Sequence, residues 1–467
     1  RSYRMMQGFG VHTFRLVNQH GNSIFCKFHW TPLAGTHSLV WDEAVKLSGA
    51  DPDFHRRDLW EAIESGAFPE WELGLQLFTE EDAKTFPFDV LDPTKIIPEE
   101  MVPLTPVGKL VLNRNPDNFF AETEQVAFCV AHIIPGIDFS NDPLLQGRIH
   151  SYVDTQLTRL GGPNFHEIPI NAPIAQVHNN QRDGLHRQAL HRGRVNYEPN
   201  SLAGGCPFQA GMAGFRSFPE HIEEDKVRGN PVLFADHYSQ ARLFWQSQSV
   251  AEQCHIISAF RFELSRVQIV GIRLRVIALL ANIDSNLAEH VAQGLGLDVP
   301  PPLPLANNTP IPEYPPSPAL SLYAYPAQTG IQTRRVAILI APGVNIISAR
   351  FIYTALLNKG AVPRFVATRL GAVSNEAGEA INVDISLEAG PSVFYDGVVI
   401  PDGEISITHL LRNALALDFV REQYRHCKPI FAIGDGMSLI LNADIPLTLP
   451  TGEPDRTLIE ANSGELV

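Results

Sequence analysis

The sequence predicts a multidomain α+β protein, and three observations support that fold class. Residues 1–30 alternate apolar and polar side chains, as strands with one buried face do. Residues 237–296 carry apolar side chains at helical spacing. Beyond residue 331, strand-like apolar runs alternate with amphipathic segments, which indicates a parallel sheet covered by helices on both faces. A chain of 467 residues is long enough for two or three hydrophobic cores.

Composition and charge exclude several classes of function. The formal net charge of -15 argues against a nucleic-acid partner. No apolar run approaches the roughly 20 residues of a membrane helix, so neither a span nor a membrane partner is predicted. The cysteines form no C-x-x-C pair, so we expect mostly buried thiols rather than a zinc site. They are Cys26, Cys129, Cys206, Cys254 and Cys427.

The start of the chain has neither an initiating methionine nor a signal-like segment, since it reads Arg-Ser-Tyr-Arg. We therefore expect it to be part of a longer polypeptide. The compartment stays open between cytoplasm, peroxisome and secretion. Asn307-Asn308-Thr309 is a glycosylation acceptor pattern compatible with secretion, although such triplets are common by chance.

The first elements follow from period-two and helical spacing. Residues 12–17 and 23–30 predict two strands, and residues 18–22, Asn-Gln-His-Gly-Asn, are typical of the turn of a hairpin. Four further segments follow, two helices at residues 41–48 and 54–65 and two strands at residues 72–78 and 107–113.

Residues 148–160 predict a helix that carries Arg148, Tyr152 and Gln156 on one face, at four-residue spacing. A tyrosine ligates ferric haem iron only as phenolate, a form that is scarce for an ordinary tyrosine at neutral pH. A guanidinium one turn away favours the phenolate and keeps its own proton. Taken alone, the three residues are more typical of a surface helix with an incidental arginine–tyrosine pair.

Ordered motifs surround that helix. Residues 8–18 read Gly-Phe-Gly-Val-His-Thr-Phe-Arg-Leu-Val-Asn, and residues 107–122 read Val-Gly-Lys-Leu-Val-Leu-Asn-Arg-Asn-Pro-Asp-Asn-Phe-Phe-Ala-Glu. Further motifs are Asp92-Pro-Thr-Lys95, Glu124-Gln125, Pro135-Gly-Ile-Asp138, Gln146-Gly-Arg148 and residues 160–171. The series closely resembles haem catalases over roughly residues 1–280, and a further C-terminal module resembles their large-subunit branch.

The resemblance implies disproportionation of hydrogen peroxide to water and oxygen, with Tyr152 as proximal iron ligand and Arg148 as its charge partner. It also implies a homotetramer, with the distal histidine and asparagine upstream of Arg1. The predicted domains are part of an antiparallel β-barrel with the haem helix (1–163), a wrapping segment (164–228), a helical domain (229–298), a proline-rich linker (299–330) and a flavodoxin-like module (331–467).

Other positions carry roles by resemblance alone. His12 and Asp142 match a hydrogen-bonded relay that continues from the arginine, although a satisfied core histidine is the usual role of such a residue. Phe128 and Leu144 match apolar positions near the haem. Gln156 stands where small-subunit catalases carry histidine, which leaves haem b and haem d both open.

Cys129 matches a position from which some large-subunit catalases form a covalent bond to the proximal tyrosine. For this chain, a thioether between Cys129 and Tyr152 and a plain buried thiol stand as equal alternatives.

Two departures from the family patterns predict missing functions. NADPH-binding catalases carry tryptophan, proline and histidine after the Asp-Pro-Thr-Lys motif, whereas this chain reads Ile96-Ile-Pro-Glu-Glu100, so we expect no NADPH. Amidotransferase-type modules carry a nucleophilic cysteine followed by histidine at a strand-to-helix turn. Residues 432–436 read Ala-Ile-Gly-Asp-Gly, and Cys427, expected in a helix before them, cannot substitute. Pro342-Gly343 is only a weak phosphate-loop signal.

The histidines and arginines of the wrapping segment fit no metal-ligand spacing, so a subunit contact is preferred there. They are His178, His186, His191, Arg182, Arg187, Arg192 and Arg194. The rival function is a haem-retaining but inactive protein, or a structural or chaperone-like role of the C-terminal module.

Overall fold

The computed structural model describes residues 2–462 with gaps. The gaps are 175–183, 191, 193, 196–199, 203–204, 207–208, 210–216, 224, 226, 230–231, 307–311 and 327–329. His178, Arg182, His191 and the Asn307 triplet therefore lie outside the described residues. The chain forms two compact units, one made of Arg1–Met5, His37–Pro69 and Ala327–Val467, the other of Met6–Thr36 and Glu70–Pro326.

The second unit is built on an antiparallel sheet. Its strands are β1 (Gly8–Phe9), β2 (Phe14–Val17), β3 (Ser23–Pro32), β4 (Glu70–Phe78), β5 (Thr105–Val111) and β6 (Ile137–Phe139). The order is β5-β4-β3-β2-β6, and β1 also pairs with β3. The predicted hairpin is confirmed, because β2 pairs antiparallel with β3. Its turn is closed by the Asn18 side-chain oxygen, which accepts from the backbone of His20 and Asn22.

The long helix of this unit is α4 (Pro143–Leu160), which follows helix α3 (Glu80–Thr85) in the chain. It begins five residues before the predicted start at Arg148, because Asp142 caps its first turn and proline occupies the first helical position. It ends at Gly161, which adopts the left-handed conformation (φ 77°) that glycine tolerates without a side-chain clash.

In the described part of residues 229–298, where a helical domain is expected, the structure has helices α5 to α8. They are α5 (Ser239–Ser247), α6 (Val250–Arg266), α7 (Val270–Ala281) and α8 (Ser285–Leu295). Their apolar faces share one core that includes Trp245, Ile277 and Val291. None of the described helices has both the length and the apolar character needed to cross a membrane.

The first unit contains the parallel sheet predicted after residue 331. Its strands run in the order β11-β8-β7-β12-β13-β14, and β9 and β10 form a separate hairpin. The strands are β7 (Arg335–Leu339), β8 (Val362–Ala367), β9 (Gly371–Ser374), β10 (Ala380–Val383), β11 (Ile385–Ser386), β12 (Gly397–Ile400), β13 (Ile430–Ile433) and β14 (Leu458–Ala461). The helices are α9 (Ile346–Asn358), α10 (Glu404–Leu411), α11 (Ala414–Arg425) and α12 (Met437–Asn442). Apolar side chains cover both faces of the sheet.

Two predicted helices, α1 (Trp41–Ala50) and α2 (Phe54–Glu64), belong to this unit. Leu47 and Phe54 share a small core with Val393, and the Phe54 and Phe394 rings stack 5.7 Å apart. Residues 37–69 lie inside the range 1–163 predicted for the first domain, yet they pack with the C-terminal sheet. The predicted domain boundaries stay a prediction.

One local prediction about Cys427 was wrong. Helix α11 ends at Arg425, so Cys427 lies beyond it, with a backbone φ of 53°. The strand-to-helix turn between β13 and α12 is present, and Gly434 holds a positive φ of 48° there. Glycine and Asp435 occupy the positions at which the resembling modules carry cysteine and histidine.

Candidate active site

A hydrogen-bonded chain joins three of the predicted site residues. Asp142 Oδ2 lies 2.5 Å from His12 Nδ1, and Arg148 Nη1 lies 2.7 Å from His12 Nε2. A guanidinium only donates, so His12 Nε2 accepts and Nδ1 carries the proton given to the carboxylate. The histidine is therefore neutral and bridges an anion to a cation, which fixes the direction of the Arg148 side chain.

Asp142 performs a separate task with each carboxylate oxygen. Oδ1 accepts from the backbone N–H of Leu144 and Leu145 and so caps α4, while Oδ2 holds His12. The residue is fully buried, with 0% of its surface exposed. The same side chain therefore starts the helix and orients the imidazole that contacts it.

Tyr152 lies one turn after Arg148 on α4 and is half-buried. Leu144, in the first turn of the same helix, is 44% exposed, and the Phe128 side chain is 76% exposed. Exposed apolar side chains beside a convergent polar group are typical of a ligand-binding groove. Leu144 and Phe128 offer exposed apolar surface on α4 and on the segment before it, and Tyr152 and Arg148 offer a phenol and a cation one turn apart on α4.

Gln156 is buried, and its two polar atoms bind protein groups. Nε2 donates to the carbonyl of Phe128 at 3.0 Å, and Oε1 accepts from Arg159 Nη2 at 2.7 Å. Arg159 also donates to the Glu124 carbonyl. Gln156 thus ties α4 to the segment that carries Phe128 and Cys129. Cys129 is a half-buried free thiol on that segment.

Lys27 is a residue of this region that the sequence reasoning missed. It lies on β3 with 2% of its surface exposed, and its Nζ donates to the Val11 carbonyl at 3.0 Å. Burial lowers the pKa of its ammonium to about 8, against which the carboxylates of Asp142, Asp92 and Asp89 act. A lysine inside the apolar run Ile-Phe-Cys-Lys-Phe was the available signal.

The pKa of Lys27 predicts a pH-dependent difference in stability. In the unfolded chain the amine holds its proton up to about 10.5, whereas in the folded chain it releases it near 8. The unfolded state thus binds more protons between these values, so stability rises with pH there. Relative to Lys27→Met, the parent should gain about 3 kcal/mol in free energy of unfolding from pH 8 to 10.5. Denaturant titrations at several pH values test this, and a constant difference would contradict it.

The segment that replaces the tryptophan–proline–histidine motif contacts the proline-rich linker. Ser317 Oγ donates to Glu100 Oε2 at 2.6 Å, and the Tyr325 hydroxyl donates to Glu99. Burial raises the pKa of Glu99, although the hydrogen bond from Tyr325 opposes this. Gln240 of α5 pairs with both backbone groups of Ile96. The carboxylates of Glu99 and Glu100 therefore both accept hydrogen bonds from hydroxyl groups of the linker.

Within the described residues, one group of carboxylate and imidazole side chains has the geometry to hold a metal ion: Asp42, Glu422 and His426. Lys46 bonds to Glu422 and lies 3.3 Å from Asp42, and Arg425 lies 3.4 Å from Asp42. These cations already balance the carboxylates, so the group is an ion-pair network between α1 and α11.

Three segments of the chain match models of known protein families. Family models match at residues 1–204 (catalase), 232–295 (catalase-related immune-responsive) and 334–449 (DJ-1/PfpI family).

Several curated proteins are similar over nearly the whole chain. Catalase HPII of Pseudomonas putida is 54% identical over 435 residues, which are 92% of this chain and 61% of that protein. Catalase HPII of Mycobacterium avium is 50% identical over 446 residues, covering 95% and 62%. Catalase-B of Dictyostelium discoideum is 47% identical over 469 residues, covering 98% and 67%. The chain thus spans about three-fifths to two-thirds of the length of these relatives.

Proposed function

Since the chain belongs to the catalase family, in the large-subunit branch with a C-terminal DJ-1/PfpI domain, we propose that the complete protein disproportionates hydrogen peroxide to water and oxygen on a bound haem. The observation that carries this proposal is the buried chain from Asp142 through His12 to Arg148, which ends one turn before Tyr152. An arginine fixed in this way favours a phenolate beside it.

The described residues fit a haem on the side of its tyrosine ligand. Tyr152 would supply the anionic oxygen ligand, and Leu144 and Phe128 would supply apolar contacts. Arg148 would hold the ligand ionised, while His12 and Asp142 hold Arg148. When bound, the haem supplies the redox chemistry, and an anionic oxygen ligand helps to stabilise its oxidised states. Gln156 supports this face indirectly, through the backbone of Phe128.

Oxygen release from peroxide by the complete polypeptide tests the proposal. We expect a Soret band, a haem-to-chain ratio near one and rapid oxygen evolution that is lost when haem is removed. A Soret band without oxygen release would favour the rival, a haem-retaining but inactive protein. The same sample, extracted for its pigment, distinguishes haem b from haem d.

A partial antiparallel barrel and a homotetramer are part of the proposal. The antiparallel sheet supports the first. The homotetramer rests on the family resemblance. Within the chain, residues 217–223 of the wrapping segment are held against the sheet: Phe218 N–H donates to Asp138 Oδ2, and Arg15 pairs with Glu220. The Arg15 guanidinium also lies 4.7 Å from the Phe218 ring centroid. Sedimentation of the complete protein as a monomer would contradict the tetramer.

The absence of NADPH binding is also proposed. Glu99 and Glu100 would place two carboxylates against an anionic cofactor, and both bond to hydroxyl groups of the linker. Binding would require breaking those bonds and bringing like charges together. Saturable quenching of NADPH fluorescence by the protein would overturn this proposal.

The C-terminal module is proposed to stabilise rather than to catalyse. Gly434 and Asp435 offer no nucleophile at the strand-to-helix turn, and Val393 and Phe394 cover apolar side chains of α1 and α2. Deleting residues 331–467 should therefore lower the unfolding temperature or the yield of assembled protein. Normal peroxide turnover per haem in the protein that still folds is expected. Complete loss of turnover in a folded, haem-loaded deletion variant would reveal a catalytic role.

A thioether between Cys129 and Tyr152 is proposed as a modification of the active protein. One bond supports this proposal: Gln156, one turn after Tyr152, donates to the Phe128 carbonyl and so ties the segment that carries Cys129 to α4. The reaction joins the sulfur to a tyrosine side-chain carbon, releases one hydrogen from each, and reduces one peroxide to two waters. Mass spectrometry of the reduced digest should find a linked pair lighter by two hydrogens. Recovery of both unmodified peptides in full yield would rule it out.

A further inference from the structure

Lys27 is a buried cation next to the relay, the hydrogen-bonded chain Asp142–His12–Arg148. It lies in the middle of β3, opposite Gln76 of β4, and almost none of its surface is exposed. A methionine of similar length would fill the same space without the free-energy penalty of a desolvated charge. Because burying the Lys27 ammonium does not stabilise the fold in general, we expect it to serve a specific local interaction, which its contacts identify.

The first contact is to the backbone that carries His12. Nζ donates to the carbonyl of Val11, the residue before His12, at 3.0 Å. On the other side of His12, Thr13 Oγ1 donates to the Val90 carbonyl, and its own carbonyl accepts from Ser140 Oγ. Hydrogen bonds therefore fix the backbone on both sides of His12, and Lys27 donates the bond on the Val11 side.

The second contact is electrostatic. Among the charges that face Lys27, the Asp142 carboxylate acts most strongly, followed by Asp92 and Asp89 in the segment after α3. Two titratable neighbours lie on the same strand. Burial raises the pKa of the adjacent Cys26 thiol. Burial also lowers the pKa of His29, and the charge of Lys27 adds to that effect. Lys95 already pairs with Asp92 at 3.2 Å. Among the described residues, no lysine or arginine forms an ion pair with Asp142, whose oxygens bind His12 and the first turn of α4.

We propose that Lys27 is a positioning residue of the relay, which fixes the His12 backbone through the Val11 carbonyl and balances the charge of the Asp142 carboxylate. The proposal rests on the haem function proposed above, and it adds a fourth member to the chain Asp142–His12–Arg148. Loss of Lys27 should leave Arg148 less firmly held. The phenolate beside Arg148 is then less favoured, so iron ligation should be lost at a higher pH than in the parent.

The experiment uses the complete, haem-loaded protein and its Lys27→Met and Lys27→Gln variants. Gln keeps hydrogen-bond donors without the charge, so the two variants separate the two contacts. Absorbance is followed as pH falls, and the midpoint for loss of the tyrosine-ligated spectrum is measured. We expect it to rise on the order of one pH unit in Lys27→Met, and less in Lys27→Gln. Lys109→Met, on the exposed edge strand where Lys109 pairs with Glu70, is the matched control and should not move it.

A second measurement separates this role from general weakening of the core. Each Lys27 substitution is also made in a protein that carries His12→Ala. If Lys27 acts through His12, the substitution does not shift the pH midpoint any further in that protein. An equal shift in both backgrounds, or none in either, overturns the proposal. In the haem-free protein, the denaturation midpoints of the single and double variants should be non-additive, and additive values would also overturn it. A parent that binds no haem would instead refute the proposed function, and the haem-free cycle would still decide the coupling of Lys27 to His12.

Discussion

Tyr152→Phe should remove haem occupancy, peroxide turnover or both from the complete protein, while its fold persists. Under the proposed function the Tyr152 hydroxyl would supply the oxygen ligand of the iron, and phenylalanine differs only by the missing hydroxyl. The loss should exceed the about 10–100-fold that removal of a partner outside the ligand set typically costs. Haem content by pigment extraction and oxygen evolution per haem are the measurements.

The control for this prediction is Tyr323→Phe. Tyr323 lies in the linker and is 69% exposed, so the same chemical change there should alter neither measurement. Circular dichroism and the unfolding temperature check that both variants fold. Full occupancy and full turnover in Tyr152→Phe would refute the assignment of the ligand.

The elements of the fold were predictable where a local pattern decides them. The hairpin of β2 and β3 follows from alternation on either side of the turn at residues 18–22, Asn-Gln-His-Gly-Asn. The parallel sheet follows from apolar runs separated by helical spacing. The start of α4 was also predictable, because Asp142 is a typical capping residue and is directly followed by Pro143. The predicted start at Arg148 came from the spacing of Arg148, Tyr152 and Gln156, and it lies five residues after the true start of α4.

Contacts between distant residues were not predictable from local pattern. His12 and Asp142 are 130 positions apart, and only the resemblance to a family connected them. Helices α1 and α2 have ordinary amphipathic spacing, which does not say that their apolar faces meet residues 393 and 394. The partners that Glu99 and Glu100 find are more than 200 positions later, in the linker.

Lys27 shows why burial of a polar residue escapes strand patterns. Phe25, Cys26 and Lys27 are consecutive and all buried, although strict alternation would expose one face. Strand β3 pairs with β4 on one side and with β1 and β2 on the other, and both of its faces are covered over this stretch. In the sequence, Lys27 and His29 alternate with apolar residues, so period-two spacing would expose the lysine, and its burial is set by its neighbours in the fold.

Asp142 allows the relay to be tested apart from the helix that it caps. Asn is as good a cap as Asp, so Asp142→Asn should keep the bonds to Leu144 and Leu145 N–H, whereas Asp142→Ala should lose them. The amide of Asn, however, can turn an N–H toward His12 Nδ1 and favour the tautomer with a proton on Nε2. That proton would face Arg148, which can only donate. Both variants should therefore lose peroxide turnover or haem, by about 10–100-fold.

Only Asp142→Ala should also lower the free energy of unfolding through the cap, by about 1 kcal/mol. Asp284→Ala is the matched control, because Asp284 caps α8 through the Leu287 N–H and lies outside the relay. It should show the loss of stability without the loss of turnover. If Asp142→Asn instead kept full turnover, the carboxylate charge and the tautomer of His12 would be irrelevant to function, and Asp142 would serve α4 alone. One buried carboxylate thus both begins α4 and, through His12, sets the direction of Arg148, which is why the two variants are needed to separate the tasks.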